Sequence, residues 1–387
     1  MTIDIDRVRA DTPACERMIH VNNAGSSLQP EPVTRAVLDH LTLEQQIGGY
    51  EAEAQAANDL ASFYTGFASL LGCRPHEIAY VENATRAWDM AFYGLPLSEG
   101  DRVLTHASEY ASNYLALLQQ AKRRGIRIDL VPSDEFGQVD VAAMERMVGP
   151  RTRAILLTHV PTQGGLVNPA EAVGRIAKAH GLVYMLDACQ SVGQMPVDVS
   201  AIGCHVLSGT GRKFLRGPRG TGFLYVSDAI IERIEPPFID LHAATWTAPQ
   251  SFELAEGAKR FENYESFVAG RIGLARAVAY ASEIGIEAIG ARVTDLATTL
   301  RAALDERRDV TVHDLGEQQC GIVTFRKADE EPQATSERLR AAGINTSVSV
   351  RPYAQLDLGE RGLDALVRAS VHYFNTGNEI ERLVEAV

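Results

Sequence analysis

The sequence predicts an α/β protein whose larger part is a mainly parallel sheet with helices on both faces. Apolar, strand-like runs at 127–131 and 154–159 alternate with helical stretches at 140–147 and 169–179. Such alternation is typical of parallel sheets that are covered by crossover helices. The chain has 387 residues, 45% of them apolar, which is enough for a sizeable core divided between one large and one smaller domain.

Charge and composition exclude several classes of protein. The formal net charge is −13, whereas nucleic-acid binding needs a basic surface, so we expect no nucleic-acid partner. The first twenty residues mix acids with arginines and do not resemble a signal peptide, and no apolar run approaches the ~18 residues that span a bilayer. We therefore expect a cytoplasmic protein without membrane contact. The five cysteines are scattered, which favours neither a disulfide framework nor a metal site.

The N-terminal elements follow from local patterns. A short strand in residues 19–30 runs into a Gly/Ser turn, and a helix is predicted to begin near Glu31-Pro32 because proline is favoured in a first turn. Residues 33–71 have a helical pattern that is broken at Gly48-Gly49. Short strands are predicted at 78–81 and 102–105.

The C-terminal third has a different pattern. Residues 236–265 are polar and aromatic without regular periodicity, which predicts an extended excursion. The elements predicted after it are a long helix from Arg271, a helix at 288–305, strands at 310–312 and 321–325, and a final helix from Gly377. This change of pattern predicts a large domain of residues 20–265 and a small domain of residues 1–19 and 266–387.

One lysine lies at the centre of the most distinctive segment. Residues 206–225 read VLSGTGRKFLRGPRGTGFLY, and Lys213 occupies a glycine-rich turn between two apolar runs. Most lysines are solvated surface residues, but upstream the run 182–193, LVYMLDACQSVG, carries Asp187 at the end of an apolar strand, where a carboxylate is costly unless it is paired. One partner accounts for both residues: a pyridinium ring whose nitrogen Asp187 keeps protonated and whose aldehyde forms a Schiff base with Lys213.

These two motifs resemble those of a known family. DACQSVGQ and SGTGRKFLRGPRGTGFLY are similar to the fold type I pyridoxal-phosphate enzymes of the class V aminotransferase and cysteine desulfurase group, and most of all to its carbon–sulfur lyases, including ergothioneine-pathway sulfoxide lyases and cystine lyases. The resemblance implies pyridoxal 5'-phosphate as cofactor, a seven-stranded type of sheet in the large domain, a smaller α+β domain and a homodimer with shared active sites. It also implies that the excursion, with Trp246, Arg260 and Glu262, reaches the partner subunit's site.

The resemblance assigns a set of candidate site residues. For the cofactor they are a phosphate turn at a helix start, an aromatic ring stacked on the pyridine, residues near the ring oxygen and a cation beside the phosphate: Ala84, Thr85, Tyr110, Thr162 or Gln163, Asp187, Gln190, Thr210, Arg212 and Lys213. For the substrate they are Asn23, Ala24 and Gly25 at its amino-acid end and Arg368 at its carboxylate. Structural alternatives exist: Thr85 as a plain helix cap, Tyr110 as a core residue, and Arg368 as a surface arginine.

The cofactor motifs do not choose the reaction, because the ring is the electron sink and the protein selects which bond breaks. In the desulfurases that the chain resembles, a cysteine on a small-domain loop accepts the sulfur, and the matching segment here, residues 344–362, has none. The likeness to the lyases, including GGYEAEA near residue 50, implies β-elimination from a cysteine S-conjugate or sulfoxide, giving pyruvate, ammonia and a sulfur product. An aminotransferase, an epimerase of the isopenicillin N type, a desulfurase without the loop cysteine and a non-enzymic binding protein stay open.

Overall fold

The computed structural model describes residues 3–387 and contains two main sheets. The strands of the described chain are β1 (Ile19–His20), β2 (Ile78–Val81), β3 (Arg102–His106), β4 (Arg127–Val131), β5 (Thr152–Thr158), β6 (Val183–Asp187), β7 (Val206–Thr210), β8 (Gly222–Val226), β9 (Ala244–Ala248), β10 (Ser251–Leu254), β11 (Val310–Val312), β12 (Ile322–Lys327), β13 (Ile344–Asn345), β14 (Ser347–Val350) and β15 (Ala365–Ser370).

Helices cover both faces of the larger sheet and one face of the smaller. Those described are α1 (Ile5–Ala10), α2 (Glu31–Ile47), α3 (Gly49–Gln55), α4 (Ala57–Leu71), α5 (Ala84–Phe92), α6 (Ala111–Arg124), α7 (Val141–Met147), α8 (Ala170–His180), α9 (Val199–Ile202), α10 (Val268–Ile284), α11 (Ile286–Asp305), α12 (Pro332–Ala341), α13 (Asp357–Glu360) and α14 (Gly377–Ala386). Among residues 3–387, no helix is long and apolar enough to cross a membrane.

The larger sheet has seven strands in the order β2-β8-β7-β6-β5-β3-β4. Only β8 runs against its neighbours β2 and β7, and the other pairings are parallel. Successive residues of each strand point to opposite faces. On β6, accordingly, Tyr184 and Leu186 belong to one apolar cluster and Val183 and Met185 to the other. The predicted α/β fold with a mainly parallel sheet between helical layers is confirmed.

The smaller sheet is antiparallel in the order β11-β12-β15-β14. Its apolar face packs on α11 and α14 in a cluster that includes Leu300, Phe325 and Leu383. The N-terminal strand β1 pairs in parallel with β13. This pairing brings the residues just after β1 to the edge of β15, where Asn22 bridges to Ser370.

Two segments are more regular than the sequence predicted. The excursion 236–265 contains an antiparallel hairpin of β9 and β10 and a 3-10 helix at Gly257–Phe261. Segment 344–362, predicted as a loop, forms β13, β14, a 3-10 turn at Arg351–Tyr353 and α13. Short polar strands are hard to detect from sequence because pairing partners, rather than local propensity, decide them.

Candidate functional site

The site is built where strands of the large sheet end at their carboxyl edge. Asp187 is the last residue of β6, paired with Thr158 at the end of β5, and Lys213 follows the end of β7. The carboxyl ends of parallel strands meet at one edge of a sheet, and ligands of such sheets bind there. The two residues that the sequence singled out therefore lie at the same edge.

Asp187 is buried, with 4% of its surface exposed. Its Oδ2 accepts a hydrogen bond from Nδ2 of Asn113 at 2.8 Å, and its Oδ1 accepts one from the backbone N–H of Cys189 at 2.9 Å. A buried carboxylate needs such donors. These two bonds fix the orientation of the carboxylate at the pocket floor.

Lys213 is also buried, at 6% exposure. Burial lowers the pKa of its amine, and the cations Arg212 and Arg368 lower it further, against the opposing effect of Cys189 and Asp187. Its Nζ lies 5.7 Å from the ring centroid of Tyr110. A lysine with a lowered pKa keeps more of its amine neutral and nucleophilic near neutral pH.

Tyr110 is held at the start of α6 by a polar cluster that the sequence analysis missed. The backbone N–H of Tyr110 donates to Oε1 of Glu109 at 2.9 Å and to Oγ1 of Thr158 at 3.1 Å. Asn113 donates to both Glu109 and Asp187, so one amide links the ring-bearing turn to the carboxylate. The i, i+3 spacing of Tyr110 and Asn113 on a helix is the signal that could have found Asn113.

Buried Arg368 and Gln190 and half-buried Thr162 form a second polar cluster. Nη1 of Arg368 donates to the carbonyl and to Oγ1 of Thr162, at 2.9 and 2.7 Å, and Nε2 of Gln190 donates to the same Oγ1 at 2.9 Å. Burial lowers the pKa of Arg368 to about 10, with Arg212 adding to the effect. Nε of Arg368, Oε1 of Gln190 and Nε2 of Gln163 are buried without a partner among the described residues.

The N-terminal turn contacts this cluster through its backbone and through Asn22. The carbonyl of Ala24 accepts from Nε2 of Gln190 at 3.1 Å, and the carbonyl of Gly25 accepts from Arg212. Asn23 turns inward: its Nδ2 donates to the Ser370 carbonyl at 2.7 Å and its Oδ1 accepts from Ser27. Asn22, which the sequence analysis did not single out, places its Oδ1 3.4 Å from Nη2 of Arg368.

The predicted phosphate turn opens helix α5. Asn83, not Thr85, is the N-cap, because its side chain accepts from the backbone N–H of Arg86; Asn is a favoured cap residue, so the sequence contained this signal. Ala84 and Thr85 are the first two helical residues, and Thr85 is exposed. Thr210 pairs with Gly222 on β8. A Cβ added to Gly222 would lie 2.9 Å from the backbone of Asn83, so the end of β7 that carries Thr210 lies next to this turn.

These residues fit pyridoxal phosphate. The Lys213 amine, whose pKa burial lowers, suits the aldehyde of the cofactor, Asp187 suits its ring nitrogen, and Tyr110 suits its ring face. The start of α5 offers free N–H groups and the positive end of a helix dipole to a phosphate, with Thr210 adjoining and Arg212 in reach of Lys213. The unpartnered Oε1 of Gln190 and Nε of Arg368 leave polar atoms for a bound group.

Comparisons with known proteins agree with this architecture. The aminotransferase class-V family model matches residues 19–383. A probable cysteine desulfurase of Methanothermobacter thermautotrophicus is 30% identical over 388 residues, covering 98% of this chain and 96% of the relative. A cysteine desulfurase of Yersinia pestis is 28% identical over 405 residues, covering 99% and 97% of the two chains.

Two solved structures have the same fold over nearly the whole chain. The apo structure of cysteine desulfurase from Thermococcus onnurineus superposes with a TM-score of 0.93 at 26% identity and covers 100% of this chain and 97% of that one. A cystine C–S lyase in complex with its reaction product cysteine persulfide has a TM-score of 0.87 at 22% identity, covering 97% and 98%. The chain therefore belongs to the aminotransferase class-V family, whose members are fold type I pyridoxal-phosphate enzymes.

Proposed function

We propose that the chain is a pyridoxal-phosphate-dependent carbon–sulfur lyase that cleaves a cysteine S-conjugate or sulfoxide by β-elimination. The observation that carries this proposal is the lack of a usable thiol at the site. Segment 344–362 contains no cysteine. Cys189 lies within electrostatic reach of Lys213, but burial and the charge of Asp187 raise the pKa of its thiol well above the ordinary range. A protonated thiol is a poor sulfur acceptor.

The proposed roles follow from the contacts of each side chain. When bound, pyridoxal phosphate supplies an electron sink for negative charge at the substrate's α-carbon. Asp187, fixed by Asn113 and the Cys189 N–H, would hold the proton on the ring nitrogen. Arg368 would bind the substrate carboxylate with its guanidinium, exchanging its bonds to Thr162 for a bidentate pair.

Lys213 would carry the proton transfers. Its Nζ would accept the α-proton, the carbon–sulfur bond would break, and the bonding electron pair would leave with sulfur, which would be released as a thiol or sulfenate species. The remaining aminoacrylate takes up water and decays to pyruvate and ammonia. This elimination is redox-neutral. It therefore needs no external oxidant or reductant and no redox-active thiol at the site.

A second candidate, a cysteine desulfurase, is favoured by the descriptions of the relatives as desulfurases. That reaction would return alanine and leave sulfur on a protein cysteine. In this chain it would have to use a residue such as Cys189 in place of a cysteine in segment 344–362.

The test is to incubate the enzyme with L-cysteine, L-cystine and several cysteine S-conjugates and sulfoxides, and to quantify pyruvate, ammonia and alanine. We expect pyruvate and ammonia in equal amounts, abolished in Lys213→Ala and retained in Cys189→Ser. Stoichiometric alanine that disappears in Cys189→Ser would establish the desulfurase instead. Amino transfer to a keto acid without pyruvate, or conversion of an L- to a D-amino acid, would establish an aminotransferase or an epimerase.

The lysine assignment has its own test. Borohydride should abolish the visible absorption of the purified enzyme and fix the cofactor onto Lys213, as read by peptide mapping. Lys259, which is exposed, and Lys327, which pairs with Asp309, are the comparison lysines. Reduced cofactor on either of these would overturn the assignment.

A further inference from the structure

Arg216 is a buried cation without a buried anion to balance it. Only 1% of its surface is exposed, and within residues 3–387 it forms no ion pair. Its Nε donates to the Leu28 carbonyl at 2.8 Å, its Nη1 to Oη of Tyr373 at 2.7 Å and its Nη2 to Oγ1 of Thr12 at 2.6 Å. The guanidinium carbon also lies 4.6 Å from the ring centroid of Phe374. Burying a charge is costly, and these neutral partners and the ring offset that cost.

The backbone of Arg216 closes the turn that carries Lys213. Its N–H donates to the Lys213 carbonyl at 2.9 Å, and the next N–H, of Gly217, donates to the Gly211 carbonyl at 2.7 Å. Arg216 has φ = 60°, in the left-handed region that non-glycine residues seldom adopt. Such a conformation persists only when the surroundings determine it. The three side-chain hydrogen bonds of Arg216 hold its backbone in this conformation.

The same turn is held from a second direction. His372 is fully buried, and its Nε2 lies 2.9 Å from the carbonyl of Phe214, the residue after Lys213. Since a carbonyl only accepts, Nε2 carries the proton of the neutral ring. Segment 372–374, just beyond the strand of Arg368, therefore contacts the Lys213 turn through both His372 and Arg216.

We infer that Arg216 is a positioning residue that fixes Lys213 by clamping its turn between the N-terminal segment and the segment after β15. The inference rests on the proposed role of Lys213 as the amine that binds the cofactor and moves the proton. Arg216 does not itself touch the reacting atoms in this arrangement. It acts through the turn that it closes, and it ties that turn to the strand that carries the proposed carboxylate anchor.

The geometry of the guanidinium, rather than its charge, is the required property. Besides burial, the side chains that shift the pKa of Lys213 are Cys189, Asp187, Arg212 and Arg368, whereas Arg216 contacts the turn through directed hydrogen bonds. Three bonds in three directions need the planar fork of arginine, which a lysine ammonium on a flexible stem does not reproduce. In Arg216→Lys the turn that carries Lys213 should therefore no longer be held in place.

The experiment compares Arg216→Lys and Arg216→Gly with Arg219→Lys. Glycine relieves the left-handed backbone while removing the clamp, and Arg219 is an exposed arginine of the same motif. Hydrogen exchange of the Arg216 and Gly217 positions is measured in the protein freed of cofactor. We expect exchange there to speed up at least tenfold in both Arg216 variants and to stay within twofold of wild type in Arg219→Lys. In the loaded enzyme, exchange of the substrate α-proton should fall at least tenfold with KM changed less than threefold.

Two outcomes would overturn the inference. One is unchanged protection of the turn in Arg216→Lys, because the clamp would then be dispensable. The other is full protection in Arg216→Gly, because the backbone alone would then hold the turn. If the Arg216 variants do not fold, Tyr373→Phe and Thr12→Val each remove one bond and should each speed exchange at the same two amides; unchanged exchange in both would equally overturn it. Exchange in the cofactor-free protein is independent of the reaction, so a wrong assignment of Lys213 would be revealed by the borohydride mapping and not by these amides.

Discussion

At the scale of single residues, Asp187 has contacts that allow its charge to be tested without loss of the fold. In Asp187→Asn the amide keeps an oxygen that can accept from the Cys189 N–H, but its NH2 group meets the Nδ2 donor of Asn113 where an oxygen accepted before. We expect native folding and cofactor binding, because one unmade hydrogen bond costs only about 1–3 kcal/mol. Turnover should fall about 10²-fold or more, the scale observed when one electrostatic stabiliser is removed from an active site. The measurement is kcat together with far-UV circular dichroism. Asp129→Asn, which removes a carboxylate paired with Arg102, is the control, and near-native turnover of Asp187→Asn would contradict the assignment.

Arg368 should contribute to substrate capture. Arg368→Lys keeps a cation but loses the planar guanidinium, whose Nη1 donates to two oxygens of Thr162 and whose fork would donate two bonds to a carboxylate. We expect kcat/KM to fall with KM affected most, and Arg368→Ala to cost roughly 2–5 kcal/mol because the pair is desolvated. Arg351→Lys, which changes an exposed arginine just after β14, should leave KM unchanged. An unaltered KM in Arg368→Ala would exclude the role.

At the scale of elements, the turn after β6 packs against the turn that carries Lys213. Gly193 has φ = +98°, and a Cβ there would lie 2.4 Å from the carbonyl carbon of Phe214. Gly220 has φ = +74° but open space where its Cβ would be. Substitutions at Gly193 and Gly220 therefore distinguish the cost of a strained backbone from the cost of forcing two closely packed turns apart.

We expect Gly220→Ala to cost about 1–2 kcal/mol of unfolding free energy, from the left-handed conformation alone. Gly193→Ala should cost roughly 3 kcal/mol or more, because the backbone of Phe214 must also move. The Lys213 turn moves with it, so visible absorption should fall in Gly193→Ala and persist in Gly220→Ala. Denaturant unfolding and absorbance spectra measure both effects. Equal losses in the two variants would show that close packing of the turns is unimportant.

At the scale of the whole molecule, buried histidines predict how stability depends on pH. Burial lowers the pKa of His159 from 6.5 to about 4. Above pH 6.5 the ring is neutral in both states; as pH falls toward 4 the unfolded chain gains a proton that the native ring does not, so stability is lost. Each unit of difference between the native and the unfolded pKa corresponds to about 1.4 kcal/mol of unfolding free energy.

We therefore expect the unfolding free energy to fall between pH 7 and pH 5.5, and to fall less steeply in His159→Gln. Burial also lowers the pKa of His106 to about 4. His106 should therefore account for part of the pH dependence of stability that remains in His159→Gln. Urea unfolding at several pH values provides the measurement, and His180→Gln, at an exposed position at the end of α8, is the control. A slope unchanged by His159→Gln would show that the ring is charged in the native protein.

Exposed apolar side chains on the excursion favour a homodimer with shared sites. Phe238, Leu241, Trp246 and Phe252 are each at least half exposed, and Trp246 and Phe252 are opposite each other in the β9–β10 hairpin. Exposed apolar side chains that lie together mark an interaction surface. Arg260 and Glu262 are instead buried within the chain: Arg260 pairs with Glu232, and Glu262 accepts from Tyr64 and the Tyr80 N–H. We therefore expect the exposed apolar residues of the excursion, rather than Arg260 and Glu262, to reach the partner subunit.

The dimer has a direct test. Trp246→Glu places a charge on the patch, so sedimentation velocity should show a shift from dimer to monomer, with activity lost in parallel. Tyr353→Glu, at an exposed aromatic residue outside the excursion, should change neither the oligomeric state nor the activity. A wild-type monomer with full activity at assay concentration would contradict the proposal.

The sequence by itself determined the fold class and the family, because strand–helix alternation and the glycine-rich lysine turn are local patterns. It also pointed to Asp187 and Lys213, whose residue types are unusual at the end of an apolar strand and in a glycine-rich turn, whereas Tyr110 and Arg368 followed from the family resemblance. Their proposed roles stay predictions until tested. Local patterns likewise located most strands of the large sheet, since buried parallel strands are continuous apolar runs.

Only the tertiary structure decided which polar groups meet. Asn113 with Asp187, Asn22 with Arg368, and Arg216 with Thr12 and Tyr373 join residues that are far apart in the chain. No local pattern encodes such pairs, because the same local sequence can place a polar side chain in water or in a buried contact with a distant residue. The partner is fixed when packing of distant elements removes water, and the cost of an unsatisfied buried group then selects the contacts that remain.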